Sequence, residues 1–396
     1  MLKRYAVKID LPPEVESVMN TLLKNGFEAY IAGGAVRDFL MKRKISDYDI
    51  TTNALPCDMH KIFKKCFDTG LKHGTVTAVE NGMRIEITTY RIDGEYQNHR
   101  SPESVKFSQN LSDDLKRRDF TVNSLVYNPN DGILDFFSGA DDIKSRIIRT
   151  VGDADRRFFE DALRIIRAVR FACVLGFDIE KSTFEAMRKN RKYLNLISCE
   201  RIRDEFSKIL CAKSLDALEM SAKKGIFDEI FPDISKIYDF GKISDCKGSL
   251  CVKWALFIYY MNKKSADEIL RKLKFSNAEK SRIKFLLAAS EFEFNTSRAG
   301  LKRILQKCDA FLCDLADFTE AIGKFYPEDE INGILKSGEP YKLSMLSVSG
   351  NDVKIYAKKG EDTGRILNYL LEAVIENPSE NSKTALIERI KNFYDS

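Results

Sequence analysis

YIAGGAVRDFLMKRKISDYDITT, Tyr30 to Thr52, joins a glycine turn to a carboxylate pair within one supersecondary unit. The apolar run Ala29 to Ala32 ends at Gly33-Gly34, so the order is strand, glycine turn, helix. Residues without a Cβ, such as Gly34, let backbone N–H groups approach phosphate oxygens at the start of the following helix. Arg37, one turn in, is placed to clamp the same phosphates. If Tyr48 to Thr51 is a strand, Asp47 and Asp49 point to one face, where two carboxylates repel unless a cation lies between them. Magnesium, a hard ion that bridges carboxylates and phosphate oxygens, suits that pair and suits phosphoryl or nucleotidyl transfer. Acidic pairs near strand ends are also common surface features, and a lone GGxxR is commonly a structural turn; the spacing between the two favours the chemical reading.

Outward from this stretch, Pro13 to Asn25 reads as a helix, and Thr75 to Glu80 and Arg84 to Tyr90 read as short strands. Glu86, between Ile85 and Ile87, serves equally as a third acid or as a strand-face ion pair. After Asp135 the strand signals fade, and Arg156 to Leu175 and Glu200 to Lys213 carry apolar residues at helical spacing. The expected class is therefore α+β, with the strands in the N-terminal third and helices beyond. The 396 residues suggest two or three folding units at about 150 residues each. With 44% hydrophobic and 31% charged residues, disordered and fibrous classes are excluded. The longest apolar run, Trp254 to Met261, is far shorter than the roughly 20 residues of a membrane-crossing helix. Lys8, Asp10 and a proline pair interrupt the N-terminal apolar residues, so we expect a cytoplasmic protein with no membrane partner. Nine cysteines without a CxxC pair point to reduced thiols, and three histidines without zinc-ligand spacing argue against a zinc enzyme. A net charge of +5 suits a polyanionic partner without selecting one.

Four segments occur in order: GGAVRD with DYD at Gly33 to Asp49, RRDFTVNSLVYN at Arg117 to Asn128, EDALRIIRAVRFACVLGF at Glu160 to Phe177, and SCERIRDEFSKIL at Ser198 to Leu210. Together they resemble the class II nucleotidyltransferases of the polymerase-beta superfamily, which comprise tRNA CCA-adding enzymes and bacterial poly(A) polymerases. The resemblance is strong over the first half and weaker beyond. It implies a polymerase-beta-like catalytic head with a small mixed β-sheet, followed by all-α neck, body and tail domains that hold tRNA. On this basis we expect the head at 1–140, a neck with base recognition at 141–212, the body at 213–290 and the tail at 291–396.

Adjacent Arg117 and Arg118 project differently, so one of them faces the nucleotide, and the resemblance favours Arg118. Asp119 and Asn123, four apart, resemble the family's ribose-contacting and loop-ordering positions; surface ion pairing remains open for both. Asp161 and Arg164, read as one helical turn apart, set an acceptor beside a bidentate donor. That pair matches the amino and ring-nitrogen edges of cytosine and adenine. Uracil and guanine would leave buried polar groups unpaired, at about 1–3 kcal/mol each. An isolated DxxR is usually a helix-surface ion pair. Each three-residue step drifts about 60° around a helix, so Arg167 is the safer nucleotide ligand. Arg170 either buttresses the site through an ion pair or, as the resemblance implies, joins the nucleotide. Glu160 either orients Arg164 or is a favourable charge near a helix start.

The polar segment Asp93 to Phe107 reads as a mobile loop. In the resembled family a loop here accompanies the switch from CTP to ATP and is shortened in enzymes that add only CC. The C-terminal segment from Ser347 resembles the tail of bacterial CCA-adding enzymes. Gly350, Gly360 and Gly364 with Lys354, Lys358, Lys359 and Arg365 could approach RNA phosphates there, and helix capping and solvation account for them as well. Departures from the family pattern are Lys42 for a usual glycine, Ala162 for the proline of EDPLR, and Ser124 for alanine. The expected activity is addition of CCA to the tRNA 3′ end from CTP and ATP, with Asp47 and Asp49 holding Mg2+. The alternatives are an A-adding or poly(A) polymerase and, outside catalysis, a tRNA-binding protein on a degenerate scaffold. The sequence does not decide between a monomer and a homodimer.

Overall fold

The computed structural model describes residues 2–94, 96–97, 101–102, 104–294, 297–308, 311–357, 362–391 and 393. The chain divides into two compact units, Met1–Ser244 with Lys272–Lys274, and Asp245–Arg271 with Phe275–Ser396.

In the first unit, Val15, Val18, Met19 and Leu22 recur at three- and four-residue spacing and form the buried face of α1 (Pro13–Lys24). That face covers a mixed sheet built from β1 (Lys3–Tyr5), β2 (Tyr30–Ala32), β3 (Asp49–Thr52), β4 (Cys66–Gly70), β5 (Thr75–Glu80) and β6 (Met83–Thr89), completed later by β11 and β12. Between them, β7 (Arg91–Asp93) pairs with β10 (Val105–Phe107), and β8 (Tyr96–Gln97) with β9 (Ser101–Pro102). The sheet is closed by β11 (Leu125–Asn128) and β12 (Gly132–Asp135), giving the order β1-β12-β11-β2-β3-β6-β5-β4 among the described residues. β3 and β6 run parallel and set Asp49 opposite Glu86; the remaining pairings are antiparallel. Val76, Ala78, Ile85, Ile87, Ile31 and Ile50 fill the core beneath.

Besides α1, the helices of this unit include α2 (Gly34–Leu40), α3 (Pro56–Ile62), α4 (Leu111–Lys116), α5 (Gly139–Ser145), α6 (Ala154–Glu160), α7 (Leu163–Leu175), α8 (Lys181–Asn190), α9 (Cys199–Leu210) and α10 (Asp216–Lys223). The α+β expectation holds. Three local expectations need correction. β3 begins at Asp49, so Asp47 lies in the loop before the strand. Arg156 to Leu175 is two helices, because Asp161 is extended (φ −139°, ψ 103°) and its Oδ1 accepts from the Leu163 N–H at 3.1 Å. A short carboxylate that caps a backbone N–H competes with helix continuation. Strands also recur after Asp135, as the two-residue pair Ile147–Ile148 with Asp178–Ile179. In the segment expected as a mobile loop, the ends pair as strands, and Glu95, Asn98, His99, Arg100 and Glu103 lie outside the described residues.

The second unit is helical among its described residues. Trp254 is fully buried, edge-on to Phe257 and Phe275 with ring centroids 5.6 and 5.2 Å away, so the aromatic run there is core. Farther on, Val353, Ile366, Leu370, Val374, Leu386 and Ile390 form a separate apolar cluster. Gly350 begins a helix capped reciprocally by Ser349 and Asp352, and Arg365 is paired with Asp362 at 3.3 Å. Lys358, Lys359 and Gly360 lie outside the described residues. No helix among the described residues is long and apolar enough to cross a membrane.

Candidate active site

Gly33 leaves β2 with φ 73° and ψ −121°, a conformation that only glycine adopts without strain. A Cβ at this position would lie 3.0 Å from Arg118 Nη1, so a side chain there would press on that guanidinium. Gly33 and Gly34 open onto a cleft of about 1130 Å³ together with Arg37, Asp49, Glu86, Arg117, Arg118, Asp119, Asn123, Asp161, Arg164, Arg167, Phe171 and Arg201. Residues from positions 33 to 201 thus share one cavity.

On the sheet side, buried Ile85 and Ile87 fix the register of β6 and leave Glu86 facing the cleft beside Asp49. Partial removal from water pushes the Asp49 carboxyl above the ordinary range. Glu86 and Asp47 add to the rise and Arg118 opposes it. Asp47 is exposed, accepts from Ser46 Oγ at 2.8 Å, and does not line the cleft. Among the described residues, no three His, Cys, Asp or Glu side chains converge as a ready metal cluster.

On the helical side, Arg37 is buried and donates to Asn123 Oδ1 at 2.6 Å and to Asp38 at 3.0 and 3.1 Å. Asn123 in turn donates to Asp119 Oδ1 at 3.1 Å, and Arg167 donates to Asp119 Oδ2 at 2.8 and 2.6 Å. Burial alone would raise the Asp119 carboxyl, but Arg167, the Asn123 amide and Arg164 hold it down at about 2. Asp161 accepts from Arg201 at 2.8 and 3.4 Å. Arg164 instead donates to Glu160 at 2.9 Å and to the carbonyls of Arg117 and Arg157 at 3.1 and 3.2 Å. Each half of the expected base-reading pair therefore has its own anchor. Arg170 donates to Glu205 at 2.5 Å and does not line the cleft. Its guanidinium lies 3.9 Å from the Phe171 ring centroid, while those of Arg37 and Arg167 each lie 5.4 Å away. One aromatic ring thus sits among three cations.

Three family models match the chain: "Poly A polymerase head domain" over residues 29–149, "Probable RNA and SrmB- binding site of polymerase A" over 176–237, and tRNA nucleotidyltransferase domain 2 over 250–390. The CCA-adding enzyme of Lactobacillus helveticus is 36% identical over 402 residues, covering 96% of this chain and 98% of that protein. The chain belongs to the tRNA nucleotidyltransferase and poly(A) polymerase family. The family's CCA-adding enzyme from Streptococcus mutans is 33% identical over 407 residues, covering 97% of this chain and 99% of its own. The crystal structure of the Bacillus stearothermophilus CCA-adding enzyme in complex with CTP superposes with a TM-score of 0.82 at 31% identity, over 97% of this chain and 100% of that one.

Within this family fold, Gly34, Arg37, Asp49, Arg118, Asp161, Arg164 and Arg167 are brought together, whereas Asp47 and Arg170 stand outside the cleft wall. Arg117 lines the cleft beside Arg118, so both of the adjacent arginines reach the cavity. Sequence reading missed Asp114, Phe171 and Arg201. Asp114 had a signal, three and four residues before the two arginines. Arg201 lies in the quoted segment Ser198 to Leu210, but its pairing with Asp161, forty positions away, had no local signal.

Proposed function

We propose that this protein adds CCA to the 3′ end of tRNA, using CTP and ATP and releasing pyrophosphate. The observation that carries the reading is the convergence, in one cleft, of a glycine turn with Arg37 and Arg118, the acidic pair Asp49 and Glu86, and separately anchored Asp161 and Arg164.

Gly34 and Arg37 at the start of α2, with Arg118 opposite, receive the triphosphate. Asp161, oriented by Arg201, accepts from the exocyclic amino group that cytosine and adenine share. Arg164, fixed by Glu160 and two carbonyls, donates to the ring nitrogen beside it. Arg167 approaches the nucleotide from the same helix, and Arg170 holds α7 to α9 through Glu205. The oxygen-only pair Asp49 and Glu86 in the cleft fits a hard divalent cation, and Asp47, on the loop just before β3, would share Mg2+ with Asp49 only after turning in from its bond to Ser46. That ion would neutralise the α-phosphate and acidify the primer 3′-OH. The division into head (1–140), neck (141–212), body (213–290) and tail (291–396) is proposed as a functional one, with neck, body and tail holding the tRNA. A cytoplasmic location accords with a tRNA substrate.

The test is incubation of the full chain and Mg2+ with tRNA ending at the discriminator base, giving CTP and ATP separately and then together. Two cytidines from CTP alone, and one further adenosine with both, are the expected products. Adenosine only on tRNA ending in CC, or a long A tail, would replace this reading with the A-adding or poly(A) alternative, and no extension would leave RNA binding.

A further inference from the structure

We propose that Asp114 is a positioning residue for the nucleotide's polyphosphate: one buried carboxylate that aims both Arg117 and Arg118 into the cleft and ties them to the strand bearing Asp49. Asp114 lies on α4 and is 0% exposed. Its Oδ1 accepts from Arg117 Nε at 3.0 Å and from Arg117 Nη2; its Oδ2 accepts from Arg118 Nη2 at 3.2 Å. The Thr51 hydroxyl lies 3.2 Å from the same Oδ2. Thr51 stands two residues after Asp49 on β3, so the two share a face, and both line the cleft.

Adjacent guanidinium groups repel, and a single carboxylate between them holds both while leaving one net positive charge facing the cavity. Arg118 Nε is buried and has no hydrogen-bond partner among the described residues. A buried donor without an acceptor calls for one from a ligand, and phosphate oxygens match its chemistry. Burial would push the Asp114 carboxyl up, but Arg117 and Arg118 hold it below the usual range, so it stays ionised. This inference deepens the nucleotidyl-transfer reading and rests on it.

The test uses the full chain and its Asp114→Asn and Thr51→Val variants. Dissociation constants for CTP, ATP and tripolyphosphate are measured by calorimetry, kcat and KM by CCA addition, and folding by circular dichroism. For Asp114→Asn we expect Kd and KM to rise about 10- to 100-fold by a common factor for CTP and ATP, and Kd for tripolyphosphate to follow, with selection of C and A over U and G retained. In a background carrying both Arg117→Ala and Arg118→Ala the same change should cost less than about threefold, since both of its routes are already removed. A folded Asp114→Asn protein with unchanged Kd, or with tighter binding because the lost negative charge outweighs lost positioning, overturns the assignment. So does a fall in kcat at constant KM. If Asp114→Asn does not fold, Thr51→Val decides: a Kd raised at least about threefold supports the role, and an unchanged Kd overturns it. A wild-type protein that binds CTP but extends no tRNA would sink the CCA-adding reading and leave the Asp114 test standing. One that binds neither CTP nor tripolyphosphate would sink both.

Discussion

Asp161 Oδ2 accepts a hydrogen bond from Arg201 Nη2 at 2.8 Å, across forty positions of sequence and between two helices' termini rather than along one helix. Arg164, three positions away, is anchored elsewhere. The proposed base-reading acceptor therefore depends on α9 for its orientation. Arg201→Ala should free the carboxylate to change rotamer, raising incorporation of U and G relative to C and A by about tenfold, with KM for CTP shifting less than about threefold. Single-nucleotide incorporation with each of the four triphosphates measures this; unchanged selectivity would mean that the Leu163 N–H alone orients Asp161.

The raised Asp49 carboxyl makes a prediction about stability as well as activity. A carboxyl whose folded pKa lies above its unfolded value favours the fold when protonated, so that contribution is lost as pH rises through the folded pKa. Asp49→Asn should lower CCA addition by roughly a hundredfold or more, yet raise the melting temperature of the metal-free protein at pH 7. The gain should fade as pH falls toward about 4, the unfolded carboxyl value. Scanning calorimetry with chelator at both pH values checks the sign.

Asp119 predicts the opposite dependence. Its carboxyl, held at about 2 by Arg167 and Asn123, contributes stability that is present above the unfolded value near 4 and lost as pH falls through about 2. Asp119→Asn should cost on the order of 2 kcal/mol in urea denaturation at pH 7. Its difference from the wild type should close between about pH 4 and pH 2; a gap that persists at the acid end would assign the loss to packing.

Lys42, where the family usually has glycine, adopts φ 54° just after α2. A side chain in this left-handed conformation costs about 1 kcal/mol. Lys42→Gly should stabilise the protein by about that amount and leave CCA addition unchanged, because Lys42 is exposed and does not line the cleft. Equilibrium unfolding read beside activity decides it, and a less stable variant would show that the Lys42 stem packs usefully.

The sequence by itself determined the parts governed by short-range sterics and periodicity. An apolar run ending in Gly33-Gly34 turns into α2 because only glycine tolerates that backbone, and Ile85-Glu86-Ile87 alternates because a strand sends neighbours to opposite faces. Asp49, Arg37, Asp161, Arg164 and Arg167 were legible as chemistry-bearing residues because each sits in a local pattern, while Arg118 was favoured over Arg117 by the family resemblance alone. The tertiary structure alone decided their partners. β1, β11 and β12 are short segments that become strands by pairing across the chain, β1 with β12 and β2 with β11, which no local periodicity encodes. The break at Asp161 trades helical continuity for a side-chain cap and an ion pair with Arg201, and Asp114, a local partner of Arg117 and Arg118, meets Thr51 of β3 only through the tertiary fold. Burial makes such choices obligatory, since a desolvated charge must find its counter-charge wherever the fold has placed one.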